Sequence, residues 1–225
     1  MTKFQELGEE LKLVMSGRAG GLLDSFLPLL VFLILNSYLG LKPALAAALA
    51  IAALLGIIRI LKHESLVYAF GGLGGLVLAA VFAYLSGSGK GFFLPGLISG
   101  SITVVLCVAS VAVNRPAAAW SSYLARRWPL DWYWHPRVLP AYNEVSIGWG
   151  VAFAARLAVE FWLYQSGEVN TLGAARIFLG WPYIIVLLIL SYLYGVRRLS
   201  GSGGPSVKEF KEGKEPPWEG QQRGF

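Results

Sequence analysis

Apolar residues along this chain come in long, nearly unbroken blocks, not at the three-to-four-residue spacing of a helix packed in water. Six blocks stand out: Leu22–Leu39, Pro43–Leu61, Leu66–Leu85, Phe93–Val113, Val145–Tyr164 and Ile177–Val196. About 20 apolar residues in a helix cover the hydrocarbon of a bilayer. Inside lipid every backbone N–H and C=O must be satisfied within its own segment, which leaves only helices or a closed barrel. The pattern therefore predicts an all-α polytopic bundle of six transmembrane helices, occupying residues 21–198. Phe26-Leu27-Pro28 and Phe93-Leu94-Pro95 are predicted to open the first and fourth spans, because proline fits the first helical turn. The repeated triplet would suit two inverted three-helix halves, although chance is the better explanation of a shared tripeptide.

The flanks carry different patterns. In residues 1–20, Phe4, Leu7, Leu11 and Val14 recur on one helical face, with Glu6, Glu9, Glu10 and Lys12 mostly elsewhere. This predicts an amphipathic amino-terminal segment on a membrane surface; the alternative is a frayed terminus. It has no basic segment leading into an apolar core, so it is not a secretory signal. Between the fourth and fifth blocks, Ala117–Arg127 is predicted as a short amphipathic helix, followed by Trp128-Pro129-Leu130-Asp131-Trp132-Tyr133-Trp134. Tryptophan and tyrosine favour the membrane–water interface. Trp120, Trp128, Trp132 and Trp134 are thus expected as interfacial anchors, or as a docking surface for an anionic lipid or a protein partner. Residues 199–225 begin with a Ser/Gly linker and continue with alternating Lys and Glu, which predicts a disordered cytoplasmic tail. Trp218 is its one aromatic anchor.

Charge fixes an orientation. Only 14% of residues are charged, well below a soluble domain, and the net charge is +6. If both ends are cytoplasmic, eleven basic residues before position 199 fall inside and only Lys42, Lys90 and Arg176 outside. That asymmetry matches the positive-inside rule. It predicts a multi-pass protein of an inner or plasma membrane and gives no reason to expect nucleic acid. The single cysteine, Cys107, lies within a span and is expected to be a small packing residue.

The candidate chemistry is sparse. Arg156 interrupts an apolar block, at an insertion cost of roughly 2.5–3.5 kcal/mol. Glu160 is one helical turn away and is its nearest candidate partner. With Arg176 and Lys90 they form a predicted outer constellation, read either as a structural ion pair or as part of an anion or proton path. Asp24 and Arg59 form a candidate cytoplasmic pair, beside His63, with an ordinary snorkelling interface cluster as the favoured alternative; Asn36 lies toward the outer end of the first span. Gly71 and Gly75, and Gly96 and Gly100, have the spacing that lets helices approach closely. No zinc, nucleophile-elbow or phosphate-loop signature is present. The expectation is no enzyme, no metal and no cofactor.

Several segments together carry a family resemblance: His63-Glu64-Ser65-Leu66, Gly71-Gly72-Leu73-Gly74-Gly75, Gly91-Phe92-Phe93-Leu94-Pro95-Gly96, Ser110 with Arg115-Pro116, Arg156-Leu157, and Leu172-Gly173-Ala174-Ala175-Arg176 with Leu179-Gly180-Trp181-Pro182. Over roughly Gly20–Arg198 the chain resembles the bacterial domain of unknown function 3159 (DUF3159) family. The resemblance implies a multi-span bacterial membrane protein and no particular activity. From the residues themselves two functions stay open: a small transporter- or channel-like protein using Arg156 and Glu160, or a non-transporting accessory or scaffold subunit of a membrane complex.

Overall fold

The computed structural model describes residues 19–61 and 66–225, with side chains from residue 27 onward except for 62–72. Every regular element among the described residues is helical: α1 (Ala19–Leu39), α2 (Leu41–Leu61), α3 (Leu66–Ser86), a 3-10 turn (Gly89–Phe93), α4 (Leu94–Ala112), α5 (Ala117–Arg126), α6 (Leu130–Tyr133), α7 (Leu139–Ser166), α8 (Val169–Phe178), α9 (Trp181–Ser200) and α10 (Val207–Lys211). Four stretches are long and apolar enough to cross a membrane: Leu41–Leu61, Gly89–Ala112, Leu139–Ser166 and Val169–Ser200. The described parts of α1 and α3, Leu27–Leu39 and Leu73–Ser86, are shorter apolar helices. The predicted amphipathic start, as well as Lys62, His63 and Glu64, lies outside the described residues.

These helices turn apolar side chains outward. Only 6% of the apolar window in Val169–Ser200 is buried. Ile34, Leu54, Leu106, Val151 and Leu190 are all exposed. In water each Å² of such surface costs about 25 cal/mol; surrounding lipid removes that cost.

Three boundaries differ from the sequence reading, each for a local reason. Pro28 lies inside α1 instead of opening it, so the helix passes through the proline with one backbone bond fewer. α7 starts at Leu139, not at Val145, with Pro140 in its first turn. The block Ile177–Val196 divides at Leu179-Gly180, and Pro182 lies in the first turn of α9. Arg176 therefore belongs to the last turn of α8, where a cation suits the helix dipole, and not to a loop.

The chain forms two compact units, one up to Ile98 with Val159–Pro182, the other Ser99–Ala158 with Tyr183–Phe225. In the first unit α1 packs on α2, α2 on α3, and α3 on the 3-10 turn, while α8 meets α1 and that turn. Gly40 alone joins α1 to α2 at φ +81°, a backbone conformation glycine adopts without penalty. On α2 the buried residues Ala44, Ala48, Ala52 and Gly56 recur every four positions. This stripe of small side chains lets neighbouring helices approach. Ala44, Leu45 and Ala48 share one core with Phe32, Leu33, Ala80, Ala83, Phe93 and Leu172.

In the second unit α7 and α9 run antiparallel, joined by side-chain hydrogen bonds along their length. The Tyr183 hydroxyl donates to the Ala152 carbonyl, the Trp149 indole N–H to the Ser191 hydroxyl, and the Tyr194 hydroxyl to the Glu144 carboxylate, each at 2.7 Å. Beyond the ends of these helices, the loop 114–138 and the tail 201–225 fold together.

Candidate functional site

That loop and tail form the most elaborate polar and aromatic assembly among the described residues. It starts where α4 ends. The Ser110 hydroxyl, in the last turn of α4, accepts the backbone N–H of Ala117 at 3.0 Å. The Ser146 hydroxyl of α7 accepts that of Ala118, also at 3.0 Å. The first amides of a helix have no partner within it, so these two serines fix where α5 begins and hold it to α4 and α7. At its other end Arg127 adopts a left-handed conformation (φ 55°), and its N–H bonds the Tyr123 carbonyl at 2.8 Å. That turn directs the chain into the tryptophan-rich segment.

Trp132, Tyr133 and Tyr142 are fully buried and form the centre of the second core, with Ala118, Ala119, Val138, Ala141, Val145, Leu199 and Val207 around them. Trp132 meets Trp128 and Tyr133 edge-on, with centroids 5.3 and 5.1 Å apart. Edge-to-face pairs of this kind are favoured by the ring quadrupole. Ser122 and Tyr133 share a hydroxyl hydrogen bond of 3.1 Å. Burial pushes the Tyr133 phenol up, and this bond opposes the shift.

The tail closes over this core. Trp132 Nε1 donates to the Pro205 carbonyl at 2.8 Å, and an Arg137 guanidinium nitrogen to the Gly203 carbonyl at 2.7 Å. Phe225 stacks on Tyr142 with centroids 4.3 Å apart and planes 11° apart. The bare backbone of Gly195 makes room for that ring, since a Cβ there would lie 2.2 Å from it. Arg126 Nε donates to the Phe225 carbonyl at 3.1 Å. α10 is capped reciprocally, Ser206 bonding the Glu209 amide and Glu209 the Ser206 amide. The Glu209 carboxylate also accepts the Glu219 amide, at 2.9 Å. These bonds, that from Glu219 first, hold the carboxyl down at about 2. Trp218 lies edge-on to His135 and beneath the Arg137 guanidinium. Burial, with Arg137 nearby, holds the His135 imidazole below its usual value.

The tail, predicted as disordered from its polar composition, carries α10 and sets Val207, Phe210 and Phe225 against the aromatic core. The four tryptophans expected as interfacial anchors differ in burial. Trp132 is enclosed and hydrogen-bonded, Trp128 and Trp134 are half-buried, and only Trp120 is exposed. Beside the tail, Trp128, Ser206, Val207, Lys208, Lys211, Glu212 and Gln221 line a groove of about 450 Å³.

Arg156 belongs to the second unit and is half-buried; Glu160 and Arg176 belong to the first. Glu160 is only 3% exposed. Arg176 donates to the Phe93 carbonyl at 3.2 Å and lies over the Phe93 ring. Its guanidinium occupies the space a Gly96 side chain would fill, a Cβ there falling 1.4 Å from it. Gly96 thus seats an arginine, and Gly100 faces the Leu157 side chain. Among the described residues Gly75 has no neighbour within 4 Å of where its Cβ would be, and Gly71 has no described surroundings. Asn36 borders Gly89, and Ser37 beside it accepts from Asn170 at 2.8 Å, tying α1 to α8. Arg59 is half-buried on α2; the Asp24 side chain proposed to face it lies outside the described residues. Cys107 is buried beside Gly150, as a packing residue should be.

Sequence reasoning missed the bidentate pair of Glu144 with Arg198, whose shortest contact is 2.9 Å. The signal was present: each lies near the end of an apolar block that orientation places on the same side. Gly195 and Phe225 gave no comparable signal. The predicted cofactor and metal absences find no test in this geometry.

Comparison with curated proteins and with solved structures gives no match to this chain. A family model described as "Protein of unknown function (DUF3159)" matches residues 15–200. That span covers both units up to the end of α9, so the chain belongs to the DUF3159 family.

Proposed function

We propose that this chain is a six-span protein of a bacterial inner membrane that acts as an accessory or scaffold subunit, with both termini cytoplasmic. The observation that supports this reading is the folded loop–tail module. A short linker and a free tail would need no enclosed tryptophan, no capped α10 and no glycine hollowed for Phe225. Ordering about 25 tail residues costs on the order of 1–2 kcal/mol of backbone entropy each, so the fold has to be stabilised by packing and has a shape to present. The groove beside α10, with Lys208, Lys211 and Trp128 in its lining, is the partner-facing part of that shape. Positive charge on the same side of the bilayer supports the cytoplasmic placement.

The test uses the full chain in native membranes, with a photo-reactive residue at Lys211. A single protein should cross-link stoichiometrically, and the product should vanish in Trp132→Ala. Labelling of the tail from outside the cell, or no discrete product above background, would overturn the reading.

A second reading is carried by Glu160. A carboxylate 3% exposed within an apolar helix is what ion and proton paths contain. In this reading the chain is transporter- or channel-like, with Arg156 and Glu160 beside the path. Proteoliposome flux that Glu160→Gln abolishes would favour it over the scaffold.

A further inference from the structure

α5 presents a second feature on its outer face. Ala118, Ala119 and Ser122 are buried, whereas Trp120 and Leu124 are 43% and 63% exposed. Trp120 is the middle of a continuous line of side chains. The Arg115 guanidinium lies 4.4 Å from the centroid of the Trp134 ring. Trp134 lies 5.8 Å from Trp120, and Trp120 lies 6.1 Å from Tyr123. The Arg127 guanidinium lies 5.5 Å from Tyr123. Both arginines are exposed, and among the described residues neither meets a carboxylate within salt-bridge distance. The line therefore runs cation, three rings, cation, with Leu124 one turn along from Trp120.

The surface this line meets is set by α4. Its exposed apolar residues include Val105, Leu106 and Val108, and it ends at Ala112, five residues before α5 starts. The bond from Ala117 to Ser110 ties the first turn of α5 to the last turn of α4. Trp120 and Leu124 are thus held at the end of an apolar span, where lipid hydrocarbon gives way to headgroups. Indole and phenol rings favour that depth. Guanidinium groups form charge-assisted hydrogen bonds with phosphate.

We infer that the Arg115–Trp134–Trp120–Tyr123–Arg127 line is a seat for anionic phospholipid: the rings and Leu124 enter the acyl–glycerol boundary and the two guanidiniums take phosphates. The inference rests on the chain being membrane-spanning and is independent of the scaffold function. Near an anionic membrane surface each arginine is worth about 1 kcal/mol, a factor of about five. Losing both should reduce local enrichment of anionic lipid by up to about 30-fold.

The experiment uses full-length protein with Cys107→Ala in nanodiscs of mixed phosphatidylglycerol and phosphatidylcholine. A fluorophore is placed at Leu124→Cys, or for control at Leu106→Cys on α4, and one lipid at a time carries brominated chains. The expected result is quenching at 124, stronger with brominated phosphatidylglycerol than its mole fraction predicts. That excess should disappear in Arg115→Gln/Arg127→Gln, with quenching at 106 unchanged. Quenching at 106 but not at 124 overturns the seat alone. So does quenching at 124 in proportion to bulk lipid, unaffected by the double substitution. Absence of quenching at both positions overturns the membrane reading beneath it.

Discussion

Replacing Trp132 should detach the tail from an otherwise intact helical domain. Trp132 is fully enclosed; it packs the aromatic core and also bonds the tail, through the Pro205 carbonyl at 2.8 Å. Truncating a buried tryptophan to alanine costs about 3–5 kcal/mol. The Pro205 carbonyl, left without its donor, adds about 1–3 kcal/mol if it stays buried. Tail opening relieves that second cost, so the opening free energy should fall by at least about 3 kcal/mol. At about 1.4 kcal/mol per tenfold, the open population rises at least about 100-fold. Limited trypsinolysis reads it directly, because Lys208 and Lys211 lie on α10. Under fast opening and closing, cleavage follows the open population. Trp132→Ala should therefore accelerate cleavage at these lysines at least about 100-fold. Trp132→Phe keeps a ring but not the donor and should give about 10-fold. Native cleavage rates in Trp132→Ala would refute the reasoning, since the tail would then be held by contacts that do not pass through this core.

Other substitutions probe separate contacts. Gly195→Val places a side chain on the Phe225 ring; cleavage after Arg223 should accelerate, while Lys208 and Lys211 stay protected. The Glu209 carboxyl is lower in the folded chain than its ordinary 4.5, so the unfolded tail binds more protons in that interval and stability falls as pH falls. Hydrogen exchange of residues 206–219, corrected for its intrinsic pH dependence, should lose some protection below 6.5, where the lowered His135 beside Trp218 contributes, and should lose more from 4.5 toward about 2, where Glu209 contributes. In Glu209→Gln the fall toward 2 should shrink to the part that Glu212, held low by Lys214, contributes. Gly96→Ala displaces the Arg176 guanidinium from the Phe93 carbonyl and should cost about 1.5–3 kcal/mol. Measured by denaturation in detergent, the same change made in Arg176→Ala should cost markedly less, giving a coupling energy across the pair.

The sequence by itself determined the helical, lipid-facing character of this protein. Uninterrupted apolar blocks leave the backbone no alternative, and that inference needs no tertiary contact. It also located the short amphipathic α5 and the packing role of Cys107, because both follow from local periodicity or size. Helix ends were less legible. Pro28 looks like a start signal, yet the helix extends nine residues before it, since a proline inside a helix is tolerated where its surroundings compensate. Gly180 was a breaker concealed in an apolar block.

Tertiary structure alone decided the rest. Composition marks residues 199–225 as polar and charged, which describes the segment in isolation. Its order comes from elsewhere in the chain: from Trp132, Arg137 and Tyr142, and from the space left by Gly195. Likewise a glycine pair such as Gly96 and Gly100 announces close approach without saying what approaches. In the fold it is a guanidinium at one and a leucine at the other. Periodicity encodes what a segment does in its solvent, whereas the partner of a side chain is fixed only when distant segments meet.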